Sequence, residues 1–184
     1  MNSYRNLKTR PVHVLGALAL GLSTLALSGC EETSDAHALG DKVDTTFYSL
    51  LEGGKQGPGT VAVTDVREGT FDELDAGGFE VEVDPDENTV YYVDVSFENK
   101  GDVPVDLRDP SGIDQDDNLV PSLTVIDTGG APAFEQCPLL PDTLAPGDSV
   151  DGCAIVLAPD GHDIEKVSYL ADLSEEFVYW ESGL

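Results

Sequence analysis

Four aspartates and an asparagine fall within one ten-residue stretch: Asp109, Asp114, Asp116, Asp117 and Asn118. Calcium takes about six to eight hard oxygens, and closely spaced Asp residues on a loop can supply several. The spacing is not that of an EF-hand, which needs Gly at the sixth loop position and Glu at the twelfth. Asp84, Asp86 and Glu87 form a second, smaller cluster. The chain carries 36 Asp and Glu, so such clusters also arise by chance, and a solvated acidic loop is the competing reading. Calcium at Asp109, Asp114, Asp116 and Asp117 is the metal chemistry the residues allow.

Catalytic chemistry is less well provided for. His13 precedes an apolar run and His37 sits in a polar stretch, which leaves His162 in Asp160-Gly161-His162-Asp163. A Ser/His/Asp site would have to use it, yet no G-x-S-x-G elbow is present. The expectation for His162 is a solvated loop position, and no catalytic residue is assigned. Paired carboxylates suit acid–base work, but with this many acids some pair always falls at a plausible distance.

The three cysteines divide by context. Residues 1–13 are polar with Arg5, Lys8 and Arg10, residues 14–28 are apolar and uncharged, and Leu27-Ser28-Gly29-Cys30 follows. Basic start, apolar run and small residues make an export signal. The apolar run is shorter than the roughly 20 residues of a membrane span. Leu-Ser-Gly-Cys matches the bacterial lipobox, in which the Cys thiol is lipidated and becomes the first mature residue. An uncleaved anchor and an ordinary signal peptide are the alternatives. Lipidation at Cys30 implies membrane attachment on the extracytoplasmic face. Each buried CH₂ contributes about 0.8 kcal/mol, so two or more acyl chains hold firmly where one does not. Cys137 and Cys153 remain, in a compartment that permits disulfides. Their bond would contribute roughly 3 kcal/mol in the loop-entropy account. Two free thiols or a metal pair are the alternatives, though the spacing is not that of a CxxC zinc site.

No acid precedes Glu31, and only six bases follow residue 29. The mature part is therefore far more acidic than the chain's formal net charge of −27 suggests. That excludes nucleic-acid binding through a basic surface and a charge-driven grip on anionic lipid. Self-repulsion of this size opposes compaction, and a Debye length of about 8 Å screens only part of it. General solubility in a saline or wall environment is the favoured account; a cationic protein or peptide partner, or neutralisation by divalent ions, are the others.

The elements that must position these residues read as strands. Phe79–Val83 alternates apolar and acidic residues, and residues 89–98 repeat the pattern with Tyr91, Val93, Val95 and Phe97 inward and Tyr92, Asp94, Ser96 and Glu98 outward. Other strand-like runs are Val61–Val66, Val103–Leu107, Leu119–Val125, Gly152–Leu157, Val167–Leu170 and Glu176–Trp180. Turn signals separate them: Gly77-Gly78, Asn99-Lys100-Gly101-Asp102, Asp109-Pro110-Ser111-Gly112, Gly129-Gly130, Ala145-Pro146-Gly147-Asp148 and Pro159-Asp160-Gly161. Val43, Phe47, Leu50 and Leu51 fit one helical turn or an edge strand, and no run shows a clear helical period. The strand aromatics are expected in the core, apart from Tyr92, a surface aromatic suited to a cationic partner. Short strands at this spacing predict an antiparallel sandwich without internal repeat or interdomain linker.

Three segments carry a family resemblance. They are Leu39-Gly40-Asp41-Lys42-Val43 with Val61–Val66; Tyr91–Phe97 with Glu98-Asn99-Lys100-Gly101-Asp102 and Val103–Leu107; and Leu144-Ala145-Pro146-Gly147 with Gly152 and Ile155–Pro159. In this order they resemble the immunoglobulin-like domain of secreted actinobacterial and firmicute lipoproteins, the group called domain of unknown function 4352, related to the MPT63 antigen type. The Cys137/Cys153 pair and the acid load depart from that pattern. The resemblance implies an opening strand pair, a central hairpin from Tyr91 to Leu107, and an immunoglobulin-like β-sandwich; it implies no activity. The expected organisation is a signal peptide over 1–29, lipidated Cys30 with a polar tether to 38, and an all-β sandwich over 39–184. Its expected role is as an extracytoplasmic binding module without enzymatic activity, with a calcium-binding lipoprotein as the alternative.

Overall fold

A computed structural model describes residues 36–50, 52–124, 134–170 and 177–184. The signal peptide, Cys30 and most of the tether lie outside these residues, as do Leu51, Val125, Gly129-Gly130 and Glu176. Among the described residues ten strands form, in chain order β1 (Val43–Ser49), β2 (Lys55–Gly69), β3 (Asn88–Asn99), β4 (Val105–Asp106), β5 (Ser111–Asp114), β6 (Leu119–Val120), β7 (Thr143–Leu144), β8 (Ser149–Pro159), β9 (Ile164–Leu170) and β10 (Phe177–Glu181). Antiparallel pairing joins them into one four-stranded sheet in the order β1-β2-β3-β8, a second in the order β10-β9-β5-β6, and the small β4-β7 pair. The expected all-β sandwich is the observed architecture.

Alternation explains the main core. Tyr91, Val93, Val95 and Phe97 of β3 point between the sheets, where they meet Phe47, Val156, Val167, Tyr169 and Trp180. The rings of Phe47, Phe97 and Tyr169 pack at centroid distances of 5.3 to 6.4 Å. Val43 and Phe47 belong to an edge strand, resolving the choice left open at β1. His37 adds a short parallel bridge to Trp180 of β10, so the end of the tether is stitched to the domain.

Sequence and structure differ at five places. First, Tyr92 does not face solvent. Its relative exposure is 2 %, because the outer face of β3 is also covered. A second apolar cluster of Leu74, Val90, Tyr92, Phe134, Cys137, Cys153 and Ile155 lies there. Gly69 permits this closeness, since a Cβ at that position would meet the Tyr92 ring at 2.3 Å. Second, Phe79–Val83 forms no strand. Phe79 and Val81 pack onto the second cluster, so the alternation reports burial of one side without a ladder partner. Third, a helix α1 (Phe71–Ala76) follows β2. Thr70 accepts from the Glu73 N–H and the Glu73 carboxylate accepts from the Thr70 N–H, a full capping box. Six residues are too few to display a helical period, so this helix is legible only from its cap. Fourth, the Tyr91–Leu107 hairpin does not exist: β3 pairs with β2 and β8, while β4 pairs with β7. The Asp109-Pro110-Ser111-Gly112 turn likewise gives way at Ser111, where β5 begins.

Asn99 holds the end of β3 in place of that hairpin. It is wholly buried. Its side-chain amide donates to the Val103 and Leu144 carbonyls at 2.9 and 3.0 Å, and its carbonyl accepts from the Gly101 N–H at 2.9 Å. One short side chain thus ties β3 to the following loop and to β7.

Candidate functional site

The four predicted calcium ligands occupy two separate places. Asp114 ends β5, and Asp116 and Asp117 lie in the turn to β6. The Asp114 carboxylate accepts from the Asp116 and Asn118 backbone N–H groups at 2.9 and 2.8 Å. It also meets the Asn118 amide at 3.0 Å and His162 Nδ1 at 2.9 Å. Burial pulls its pKa up, but the donors from Asn118, His162 and Asp116 outweigh this and hold it lowered to about 2. These bonds fix the turn, in which Asp117 adopts φ 60°, a left-handed conformation that Asp tolerates better than most residues. Gln115 donates to the Gly161 carbonyl at 2.7 Å, which joins the same turn to the one carrying His162. His162 is therefore half-buried and bonded across two turns, where the sequence reading had it solvated. Among the described residues, no three His, Cys, Asp or Glu side chains converge as metal ligands.

Asp109 belongs to a different site. The β4-β7 ladder extends past Asp106 and Thr143 into a bond from the Leu107 N–H to the Asp142 carbonyl at 3.0 Å. This brings Leu107–Asp109 alongside Leu140–Asp142. Both segments wall a cleft of about 310 Å³ over Cys153–Ile155, at the outer rim of β8. Two stitches bracket that rim: the Cys153 N–H donates to Pro138 and the Leu123 N–H donates to Ile155, each at 2.7 Å. Arg108, Asp109, Asp142 and Ser122 give the cleft polar groups, while Leu107, Leu123, Leu139 and Leu140 give it apolar walls. Leu139 is 41 % exposed at its mouth. Burial and then the nearby Asp142 charge raise the Asp109 pKa. The hydroxyl of Tyr169, in a side chain 1 % exposed, has no hydrogen-bond partner among the described residues. Arg108 and Asp109 are its electrostatic neighbours, and the Arg108 backbone N–H is turned toward the hydroxyl, which offsets part of the cost of burying it.

A smaller recess of about 260 Å³ gathers Glu68, Asp163, Glu165 and Ser182 around Tyr91. The Tyr91 hydroxyl donates to Asp163 at 3.4 Å, and its pKa is pushed up to about 12 by burial and then by Asp163 and Glu68. That hydroxyl is already partnered.

Cys137 and Cys153 form the expected disulfide, with Cα atoms 5.0 Å apart. The bond pins the segment after Phe134 onto the second apolar cluster. Arg67 strengthens the same junction by pairing with Asp94, donating to the Gln136 carbonyl and lying 5.3 Å over the Tyr92 ring. Of the remaining aromatics, Trp180 is core, while Phe177 and Tyr179 stack on each other at 6.1 Å along β10.

The sequence reading missed Arg108 and Asp142 as parts of one site with Asp109. Only the scarcity of bases after residue 29 singles out Arg108.

No protein-family profile and no curated protein matches the chain. The finer family assignment drawn from the sequence segments therefore has no support from these comparisons. Two solved structures from Bacillus subtilis are similar in backbone arrangement. One is the candidate lipoprotein ycdA, 15 % identical over 77 % of this chain, with a TM-score of 0.45. The chain spans 40 % of the length of ycdA. The other is the yjhA protein, 18 % identical over 79 % of this chain and 98 % of its own, with a TM-score of 0.48. No helix among the described residues is long and apolar enough to cross a membrane.

Proposed function

We propose that the chain is a lipid-anchored module of the extracytoplasmic face, immunoglobulin-like in type, which binds a ligand rather than converting one. The observation that carries the binding clause is the cleft at the rim of β8, where exposed Arg108, Asp109 and Asp142 stand beside Leu107, Leu139 and Leu140. Against turnover stands the commitment of the obvious reactive groups: His162 is bonded to Asp114, and Cys137 and Cys153 are joined. The lipobox supplies the anchor through Cys30, and a disulfide is the chemistry of the same oxidising side of a membrane.

Metabolic labelling of the full chain with a palmitate analogue tests the anchor. Label and membrane fractionation should both disappear in Cys30→Ser, and label retained by that variant would refute lipidation there. Thermal unfolding of the full chain in detergent micelles tests the alternative. Sodium chloride should raise the midpoint smoothly, and millimolar calcium at matched ionic strength should add nothing. A saturable calcium shift lost on joint Asp114→Ala and Asp116→Ala substitution would replace this reading with a metal-binding one.

A further inference from the structure

Resting on the reading of the chain as a binding module, we propose that the cleft at the rim of β8 takes a zwitterionic, amino-acid-like group. Its ammonium sits at Asp109 and Asp142, its carboxylate at Arg108, and its apolar part against Leu107, Leu139 and Leu140.

The charges in the cleft are unspent. Of the bases among the described residues, Lys55, Arg67, Lys100 and Lys166 each pair with an acid, and Lys42 and Arg108 do not. Arg108, Asp109 and Asp142 form no ion pair among the described residues, although both signs of charge line one recess. Arg108 differs from Lys42 in that two carboxylates line the same recess and neither is paired with it. The Leu107 to Asp142 backbone bond fixes the two walls relative to each other, so the charges are held by a ladder rather than by a free loop. Asp142 is close enough to Asp109 to disfavour its ionisation, which an ammonium between them would reverse.

The alternatives fit less well. A metal ion would find two carboxylates where calcium wants about six to eight oxygens, with a guanidinium beside it. A simple anion would face two carboxylates, and a simple cation would face Arg108. A ligand with both charges satisfies all three side chains. A volume of about 310 Å³ equals roughly ten waters, room for one amino-acid unit but not for a folded element.

The test uses the full chain in detergent micelles with three probes: L-leucine, isopentylamine as the ammonium alone, and 4-methylpentanoate as the carboxylate alone. Leucine should raise Tm saturably, by about 5 to 10 °C at a hundredfold excess over Kd. Equilibrium dialysis should show each single-charge probe binding at least tenfold more weakly. Arg108→Gln, Asp109→Asn and Asp142→Asn should each weaken leucine tenfold or more, with Arg108→Lys losing less than Arg108→Gln. If isopentylamine binds as well as leucine and Arg108→Gln changes nothing, the zwitterion assignment falls while the cleft remains a binding site. If no probe shifts Tm beyond a salt control, or none of the substitutions alters the shift, both the assignment and the cleft's role in binding are overturned.

Discussion

Replacing Asn99 by alanine removes three hydrogen bonds at once, and the structure says what each is worth. The Leu144 carbonyl is the buried acceptor of the set, so orphaning it costs about 1 to 3 kcal/mol. The Val103 carbonyl and the Gly101 N–H are part-buried and water can reach them, so each loss costs about 0.5 to 1.5 kcal/mol. The expected loss is about 3 kcal/mol, with a range of about 2 to 6. With a guanidinium slope of about 4 kcal/mol/M, the unfolding midpoint falls by about 0.7 M. An aspartate at the same position sharpens the test. It keeps an acceptor for Gly101, but when ionised it faces two carbonyls with no proton to offer. Its folded-state pKa must therefore lie above the unfolded value of about 3.9. A group of this kind favours folding most below the unfolded pKa and loses that contribution as pH rises through the folded one. The deficit of Asn99→Asp against wild type should be small near pH 3 and grow toward pH 7. A loss under about 1 kcal/mol for Asn99→Ala, or a pH-independent deficit for Asn99→Asp, would refute the assignment of Asn99 as the tie between β3 and β7.

Four further outcomes follow from the same bonds and burial. Joint Cys137→Ala and Cys153→Ala substitution should cost about 3 kcal/mol and lower Tm by about 6 to 12 °C, and a reductant should then have no further effect. Tyr92→Ala should cost about 3 to 5 kcal/mol in denaturant unfolding, the cost of a buried aromatic; a surface tyrosine would change stability by less than about 0.5 kcal/mol. Thr70→Ala should cost about 1 kcal/mol by removing the cap of α1, and Thr70→Ser should recover most of it, as measured by urea titration. The Asp114 carboxylate is held lowered to about 2, so its stabilisation is present above the unfolded value of about 3.9 and is lost as pH falls toward 2. The Tm difference between wild type and Asp114→Asn should therefore shrink across that interval, and a constant difference would exclude the hydrogen-bonded carboxylate as its source.

The sequence was most informative where burial is one-sided. Alternation over β3 placed Tyr91, Val93, Val95 and Phe97 correctly because the core between the sheets imposes a period of two. The same rule failed for Tyr92, since it treats the second face as solvent. That face is covered by α1 and by the segment pinned through Cys137, and neither has a periodic signal. Phe79–Val83 shows the converse: its alternation reflects real contacts of Phe79 and Val81, but no strand is placed beside it to complete a ladder. Pairing depends on neighbours distant in sequence, which is why β4 went to β7 rather than to β3.

Spacing along the chain also misdirected the search for a site. Asp109 and Asp114 are five residues apart, yet β5 begins between them and carries them to different surroundings. Asp114 spends its oxygens on its own turn and on His162. Asp109 instead joins Asp142, 33 positions on, because the short β4-β7 ladder brings their segments together. Density of carboxylates in sequence was thus a poor guide in a chain where acids are everywhere. The more discriminating quantity is which charges of opposite sign the fold brings into one recess. In a chain with 36 acids and 9 bases most carboxylates stay unpaired of necessity, so what sets Arg108, Asp109 and Asp142 apart is that both signs of charge line one recess beside leucine side chains without joining in an ion pair there.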